Sequence, residues 1–291
     1  MSVTAAEIST EVERPFSYTD ADFRRVRNLI HERAGIALAD SKRDMVYSRL
    51  SRRLRATGVK SFAAYLEALE VDDGTEWEAF TNALTTNLTS FFREAHHFQA
   101  LREHLAAQPR AGKPLLIWCA AASTGEEPWS LAITACEAFD SDHPPVKILA
   151  TDIDTRVLEQ GRTGVYKLER VEGLTDAQRH RFFRRGTGAN AGLCRVDDTL
   201  RSLVTFRPLN LLDAHWPLHG PFIAIFCRNV MIYFDKPTQR RVLQQAAPLL
   251  GADGLFFAGH SESFFHATDI VTPCGHTIYR ATAGRSSGHP A

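Results

Sequence analysis

The spacing of apolar residues predicts helices throughout residues 15–84. One pattern begins at a capping residue, Thr19 or Asp20, and ends at Gly35, and a second, with apolar residues every fourth position, ends at Gly58. Two further helical patterns follow, in SFAAYLEALE and EWEAFTNALTTNL. Because no strand-like alternation interrupts these patterns, we predict a small all-α N-terminal domain.

After about residue 85 short apolar runs alternate with helical segments. The runs KPLLIWCAA, VKILATDID, PFIAIFCRNV and GLFFAGH are typical of buried strands. Helical patterns lie between them, in EEPWSLAITACEAF, TRVLEQGR and PTQRRVLQQAAPLLG, the last ending at Gly251. This alternation predicts a parallel sheet covered by helices on both faces, which binds ligands at the carboxyl ends of its strands.

One segment, residues 163–208, breaks the alternation. It combines a short helical pattern, a glycine-rich loop and two strand-like pieces, LCRV and SLVTFRP, and predicts a small insertion with a β-hairpin. We therefore expect a second domain over residues 85–283. Residues 1–14 and 284–291 are polar, and we expect both to be flexible.

The composition is typical of a globular protein, and the net charge of zero indicates no particular class of binding partner. The 34 basic and 34 acidic side chains cancel, and 44% of the 291 residues are hydrophobic. We find neither a signal-peptide pattern nor an apolar run of membrane-spanning length. The five cysteines are scattered, without a C-x-x-C pair. We therefore expect a cytoplasmic protein with neither a disulfide framework nor a metal site.

The turn after the first predicted strand, AASTGEEP, indicates a ligand site without phosphate. It lacks both the G-x-G-x-x-G fingerprint and a P-loop lysine. Glu126 and Glu127 would repel a pyrophosphate and favour a cation such as an amino group or a sulfonium. Alternatively, Ser123 and Glu126 form a capping box at the start of the helix. Glu127 is our candidate ligand residue.

The second strand ends in ATDID, where a carboxylate would grip a ribose diol. Asp152 fits that position, and Asp154 is placed to cap the helix that begins at Thr155. The alternative is that both aspartates are ordinary turn residues. Ribose and a cation without phosphate indicate S-adenosylmethionine rather than a dinucleotide.

Five motifs in order resemble those of the chemotaxis receptor methyltransferases, the CheR family. They are TTNLTSFFREAHHF, AAASTGEEPWS, ATDIDTRVLE, IFCRNVMIYFDKPTQ and GLFFAGHSESF. The resemblance covers about residues 15–281. It implies a class I, Rossmann-like methyltransferase domain with a small β-subdomain insertion, preceded by an all-α domain. It also implies S-adenosylmethionine-dependent methylation of chemoreceptor glutamates to γ-glutamyl methyl esters, with S-adenosylhomocysteine as product.

The resemblance also implies a set of cofactor-binding residues: Asn87, Thr89, Arg93, Glu127, Asp152, Asn210, Leu211, Arg228 and Asn229. Glu127 would pair with the methionine amino group, and Arg93 with its carboxylate, because a guanidinium matches a carboxylate with two hydrogen bonds. Asp152 would bind the ribose hydroxyls. Asn210 and Leu211 would flank the adenine.

The expected reaction needs no general base. A glutamate with a reference pKa of about 4.3 is already ionised at neutral pH, so the enzyme supplies alignment and exclusion of water. Arg93 and Tyr233 are our candidates to orient the attacking carboxylate. The alternative for Tyr233 is a packing role.

Two further features indicate how a receptor would dock. Three arginines share one face of the second predicted helix at i, i+3, i+4 spacing, Arg49, Arg52 and Arg53, and Arg55 lies nearby. We expect this face to meet an acidic helical receptor surface, although a solvated face is the ordinary alternative. Three glycines in the insertion resemble the loop that binds a C-terminal receptor pentapeptide: Gly186, Gly188 and Gly192. An ordinary hairpin loop is the alternative there.

Two other functions compete with receptor methylation. The arginine face would suit a nucleic-acid methyltransferase, but the catalytic domain lacks a basic stripe with interleaved aromatic residues. A non-catalytic module that binds S-adenosylmethionine and signals is the second alternative. We expect a monomer that binds chemoreceptors and neither binds nucleic acid nor inserts into membranes. Cys227 is interpreted as a small buried residue rather than a reactive thiol.

Overall fold

The computed structural model describes residues 15–72, 74–109 and 112–282, so the predictions for both chain ends lie outside the described residues. The N-terminal domain has four helices, as predicted: α1 (Asp20–Ala34), α2 (Arg43–Thr57), α3 (Phe62–Glu70) and α4 (Thr75–Leu84). Thr19 forms a capping box before α1, and Gly35 ends that helix with a left-handed φ of 70°.

The apolar stripe of α2 forms the centre of the first core. Val46, Leu50 and Leu54 are fully buried against Phe62 and Phe80 of the neighbouring helices. Burying each such side chain stabilises the fold by about 1.5–3 kcal/mol. The helical domain therefore has a hydrophobic core of its own.

The first helix of the second domain is α5, which the sequence patterns did not predict. Its elements in chain order are α5 (His96–Ala106), β1 (Leu115–Cys119), α6 (Glu126–Phe139), β2 (Val146–Asp152), α7 (Thr155–Thr163), β3 (Val165–Lys167), α8 (Asp176–Phe182), β4 (Phe183–Arg185), β5 (Leu193–Val196), α9 (Asp198–Arg201), β6 (Val204–Pro208), β7 (Phe222–Phe226), α10 (Lys236–Ala246), β8 (Leu250–Phe257), β9 (Val271–Gly275) and β10 (Ile278–Ala281). No helix in the described ranges could cross a membrane.

Seven strands form the main sheet in the order β6-β2-β1-β7-β8-β10-β9. The first five are parallel, which confirms the α/β prediction, whereas β10 pairs antiparallel with both β8 and β9. The prediction that the last helix runs to Gly251 was wrong. Pro248 lacks an N–H and clashes with a preceding turn, so α10 ends at Ala246, and Gly251 lies within β8.

The insertion holds a three-stranded antiparallel sheet in the order β3-β5-β4, one strand more than the predicted hairpin. The segment SLVTFRP, which we assigned to the insertion, contains β6 and belongs to the main sheet. Its residues pair in parallel register with β2, from Val204 opposite Ile148 to Pro208 opposite Asp152. The insertion therefore ends before residue 204, earlier than the predicted boundary at 208.

The turn between β1 and α6 requires glycine at position 125. Gly125 has a φ of 98°, and a Cβ there would lie 2.7 Å from both the Gly161 Cα and the Tyr166 hydroxyl.

We expect Gly125→Ala to lower the free energy of unfolding by about 1–3 kcal/mol, measured by urea denaturation. Gly173→Ala is the matched control, because no atom lies within 4 Å of the added Cβ. Equal stability of the two variants would contradict this account of the turn.

Candidate functional site

A crevice lies at the carboxyl ends of β1, β2 and β7. The loop of residues 120–125 follows β1, Asp152 is the last residue of β2, and Arg228 comes two residues after β7. The Ala122 N–H donates to the Thr151 carbonyl over 2.8 Å and ties the loop to β2. The parallel sheet thus brings together polar residues that are far apart in the sequence.

Glu127 reaches this crevice from the first turn of α6. Its Oε2 accepts a 2.7 Å hydrogen bond from Arg228 Nη1, and its Oε1 accepts one of 3.3 Å from the Cys119 thiol. Burial raises the pKa of Glu127, and the Arg228 charge opposes only part of that rise. Glu127 is therefore a buried acid whose charged form would gain from another cation.

Asp152 is held by backbone N–H groups at the end of β2. Its carboxylate accepts 2.8 Å and 2.9 Å bonds from the backbone N–H groups of Ser123 and Asp154. Burial outweighs these bonds and raises the pKa of Asp152 to about 6. The predicted cap is confirmed, because Asp154 accepts from the N–H groups of Arg156 and Val157 at the start of α7.

The two glutamates of the turn have different environments. Gly125 is the N-cap of α6, and no side chain caps that helix, so the alternative of a Ser123–Glu126 capping box is not realised. Glu126 is buried and pairs with Arg170 of the insertion. Of the two glutamates, Glu127 alone lines the crevice.

Arg228 connects the crevice to an acid that the sequence analysis missed. The wholly buried guanidinium donates from Nη2 to the Arg93 carbonyl over 2.6 Å and pairs with Glu94 at 3.1 Å. The other oxygen of Glu94 lies 3.0 Å from His260 Nδ1 and 3.4 Å from Asn229 Nδ2. Glu94 follows Arg93 in the FFREAHHF motif, which was the only available signal.

The helical domain closes one side of the crevice, which the sequence patterns did not predict. The Ala37 N–H donates to the Tyr233 carbonyl over 2.9 Å, and Asn210 Nδ2 donates to the Arg33 carbonyl over 2.8 Å. Residues from the end of α1 to the start of α2 line the crevice: Ala34, Ile36, Ala37, Leu38, Ala39, Lys42 and Met45.

All ten predicted cofactor and orienting residues line the same crevice: Asn87, Thr89, Arg93, Glu127, Asp152, Asn210, Leu211, Arg228, Asn229 and Tyr233. Some already have partners within the protein. Asn87 Nδ2 donates to the Asp154 carboxylate over 2.9 Å, and Arg93 Nη1 donates to the Leu88 carbonyl over 2.9 Å. The residue set implied by the motifs is thus one spatial cluster, although the role of each member stays a prediction.

The predicted arginine face is only partly free. Arg49 donates to carbonyls at the end of α4, the nearer at 2.6 Å, and Arg53 makes two hydrogen bonds with Glu76, of 3.0 and 2.7 Å. Both side chains therefore hold α2 against α4. Arg52 and Arg55 are exposed, so the docking prediction now depends on these two.

The predicted glycine loop connects β4 to β5 in the insertion. Gly188 and Gly192 have positive φ angles of 56° and 88°, and a Cβ on Gly186 would overlap the Asn190 carbonyl. Because β5 is central, β3 and β4 form the two edges of this small sheet. The loop thus requires glycine for its own conformation, and its binding of a pentapeptide stays a prediction.

None of the five cysteines forms a disulfide bond. Cys227 is fully buried beside the crevice, and burial raises the pKa of its thiol well above the ordinary value, as for Cys119. Within the described part of the chain, Glu94, His96 and His97 place one possible ligand atom each within 4.8 Å of one another. Glu94 already pairs with Arg228 there, and we assign no metal to this group.

Comparison with known proteins shows similarity along nearly the whole chain. A family model described as the all-alpha domain of the CheR methyltransferases matches residues 21–85, and one described as their SAM binding domain matches residues 87–280. Chemotaxis protein methyltransferase 2 of Pseudomonas aeruginosa is 56% identical over 264 residues, covering 91% of this chain and 94% of that protein. The chemotaxis protein methyltransferase of Escherichia coli is 53% identical over 262 residues, covering 90% and 91%.

Proposed function

This chain belongs to the CheR family of S-adenosylmethionine-dependent chemotaxis methyltransferases, and we propose that it methylates glutamate side chains of chemoreceptors to γ-glutamyl methyl esters. The observation that carries the proposal is the pair of buried acids, Glu127 and Asp152, in one crevice without a phosphate-binding turn. A nucleic-acid methyltransferase is not favoured, since relatives that are 53–56% identical over about nine-tenths of the chain are chemotaxis protein methyltransferases.

The residues of the crevice fit S-adenosylmethionine. Glu127 would bind the ammonium group, because a carboxylate has lone pairs beyond the one that Arg228 uses. Asp152 would accept hydrogen bonds from the ribose, and Arg93 would bind the methionine carboxylate. Leu211 supplies an apolar surface for the adenine. Asn210 Nδ2 donates to Arg33 and its Oδ1 accepts from Leu212, and the remaining N–H and lone pair of this amide would be available to the adenine.

The proposed chemistry moves a methyl group without moving a proton. When bound, S-adenosylmethionine supplies a methyl group on a positively charged sulfur. A receptor carboxylate oxygen would form the new bond to that carbon as the carbon–sulfur bond broke, and the electron pair of the broken bond would stay on the sulfur. The protein therefore has to align the two groups and exclude water, and we assign that alignment to Arg93 and Tyr233.

A methyl-transfer assay tests this function. The full chain with labelled S-adenosylmethionine should label chemoreceptors in a base-labile form, and receptors with the target glutamates changed to alanine should stay unlabelled.

Tyr233→Phe should lower kcat about 10- to 100-fold, because the attacking carboxylate loses a positioning group. Its affinity for S-adenosylhomocysteine is the control and should match that of the wild type. A base-stable label would contradict the ester, and full activity of Tyr233→Phe would remove its role.

Cofactor affinity should depend on pH through the two buried acids. Burial raises the pKa of Asp152 to about 6, so this acid loses its negative charge as the pH falls through that value, and burial shifts the pKa of Glu127 in the same direction. Because binding uses the ionised forms, S-adenosylhomocysteine should bind about tenfold more weakly near pH 5 than near pH 7.5. Calorimetric titration measures this directly. Equal affinity at the two pH values would contradict the assigned roles.

Receptor docking on α2 can be tested separately from cofactor binding. We expect Arg52→Glu to raise the KM for an acidic receptor helix about fivefold or more, because it places like charges opposite each other. Arg102→Glu, at an exposed arginine of α5, is the matched control. Equal effects of the two changes would show a general charge effect and contradict docking on α2.

A further inference from the structure

Arg228 lies between two carboxylates, and the proposed function uses only one of them. Its Nη1 donates to Glu127 over 2.7 Å, while its Nη2 lies 3.1 Å from an oxygen of Glu94. The guanidinium is wholly buried, and both acids are about one-tenth exposed. With both acids ionised, the three groups together carry one excess negative charge.

Glu94 is held in place for this contact. Its φ of 58° is left-handed, a conformation that costs free energy for a residue other than glycine. Its second oxygen lies 3.0 Å from His260 Nδ1 and 3.4 Å from Asn229 Nδ2. The oxygen that faces Arg228 makes an ion pair but no hydrogen bond with it, and His97 Nδ1 lies 3.5 Å from that same oxygen. The contacts of the other oxygen therefore orient the carboxylate toward Arg228.

Glu94 is ionised at neutral pH, whereas the buried His97 beside it is uncharged. Burial opposes the ionisation of Glu94, but the hydrogen bond with His260 and the charge of Arg228 outweigh it and lower its pKa to about 2. Burial and the Arg228 charge lower the pKa of His97 to about 4, so that ring is neutral at pH 7. Arg228 is thus the buried cation that Glu94 faces.

An ammonium group bound to Glu127 would share that carboxylate with the positively charged guanidinium of Arg228. Without Glu94, Arg228 would depend on Glu127 alone and compete with the ammonium for its charge. We propose that Glu94 is a positioning residue, the second counter-ion of Arg228, which leaves the charge of Glu127 available to the ammonium of S-adenosylmethionine. This inference rests on the proposed binding of that ammonium by Glu127.

The test compares two ligands on one variant. Glu94→Gln keeps the side-chain shape and removes its charge. By calorimetry it should weaken S-adenosylhomocysteine binding roughly tenfold, a usual size for coupling between neighbouring groups. Binding of 5′-methylthioadenosine, which has the adenosine and the thioether but no ammonium or carboxylate, should match that of the wild type. Glu103→Gln, on an exposed position of α5, is the matched control and should bind both ligands normally.

Each outcome decides the inference. Unchanged S-adenosylhomocysteine binding by Glu94→Gln would overturn it and leave the proposed function intact, as would equal weakening of both ligands, which marks a purely structural role. Absence of binding to the folded wild type would overturn both proposals together. If Glu94→Gln does not fold, Glu94→Asp keeps the charge and withdraws it from Arg228 by one methylene, at a left-handed position that aspartate tolerates. It should weaken S-adenosylhomocysteine selectively and to a smaller extent, and an unchanged affinity would overturn the inference.

Discussion

The burial of negative charge at the carboxyl edge of the sheet is the constraint on which the site depends. Glu127 and Asp152 both leave water, and burial raises the pKa of each. Arg228 and two backbone N–H groups compensate this cost only in part. The fold thus keeps two acids in an environment that a cation with a ribose would complete, and a polar ligand site of this kind lowers stability in favour of binding.

The surrounding elements each serve this crevice. The turn after β1 can approach the strand ends because Gly125 adopts a conformation that other residues avoid. Arg170 of the insertion pairs with Glu126 and removes the other acid of the turn from the crevice. The segment after α1 covers the opposite side through the bond from Ala37 to Tyr233. Both domains are therefore needed to form one site.

Much of the fold follows from local patterns, because continuous apolar runs and capping residues act within a few positions. Thr19, Gly35 and Asp154 end or begin helices where expected. Strand pairing depends on distant partners, so the sequence could not show that residues 204–208 pair with β2. Nor could it show that β10 pairs antiparallel with both of its neighbours, β8 and β9.

The residues of the candidate site also fall into two groups, those that local sequence predicts and those whose partners are distant in the sequence. Residues at strand ends, such as Asp152, could be predicted because a parallel sheet fixes where strand ends meet. The partner of Arg53 could not, since Glu76 lies on another helix, and Glu94 had no signal except its place in a motif. Long-range pairing of charged groups therefore decided which predicted residues are free to bind.

Calorimetric titration of S-adenosylhomocysteine into the wild-type chain and into Asp152→Ala tests the central claim most directly. The account predicts that the wild type binds and that removing the carboxylate abolishes binding while the chain stays folded. Binding that survives in Asp152→Ala would place the ligand elsewhere, and absence of binding to the folded wild type would contradict the claim that this crevice holds the cofactor.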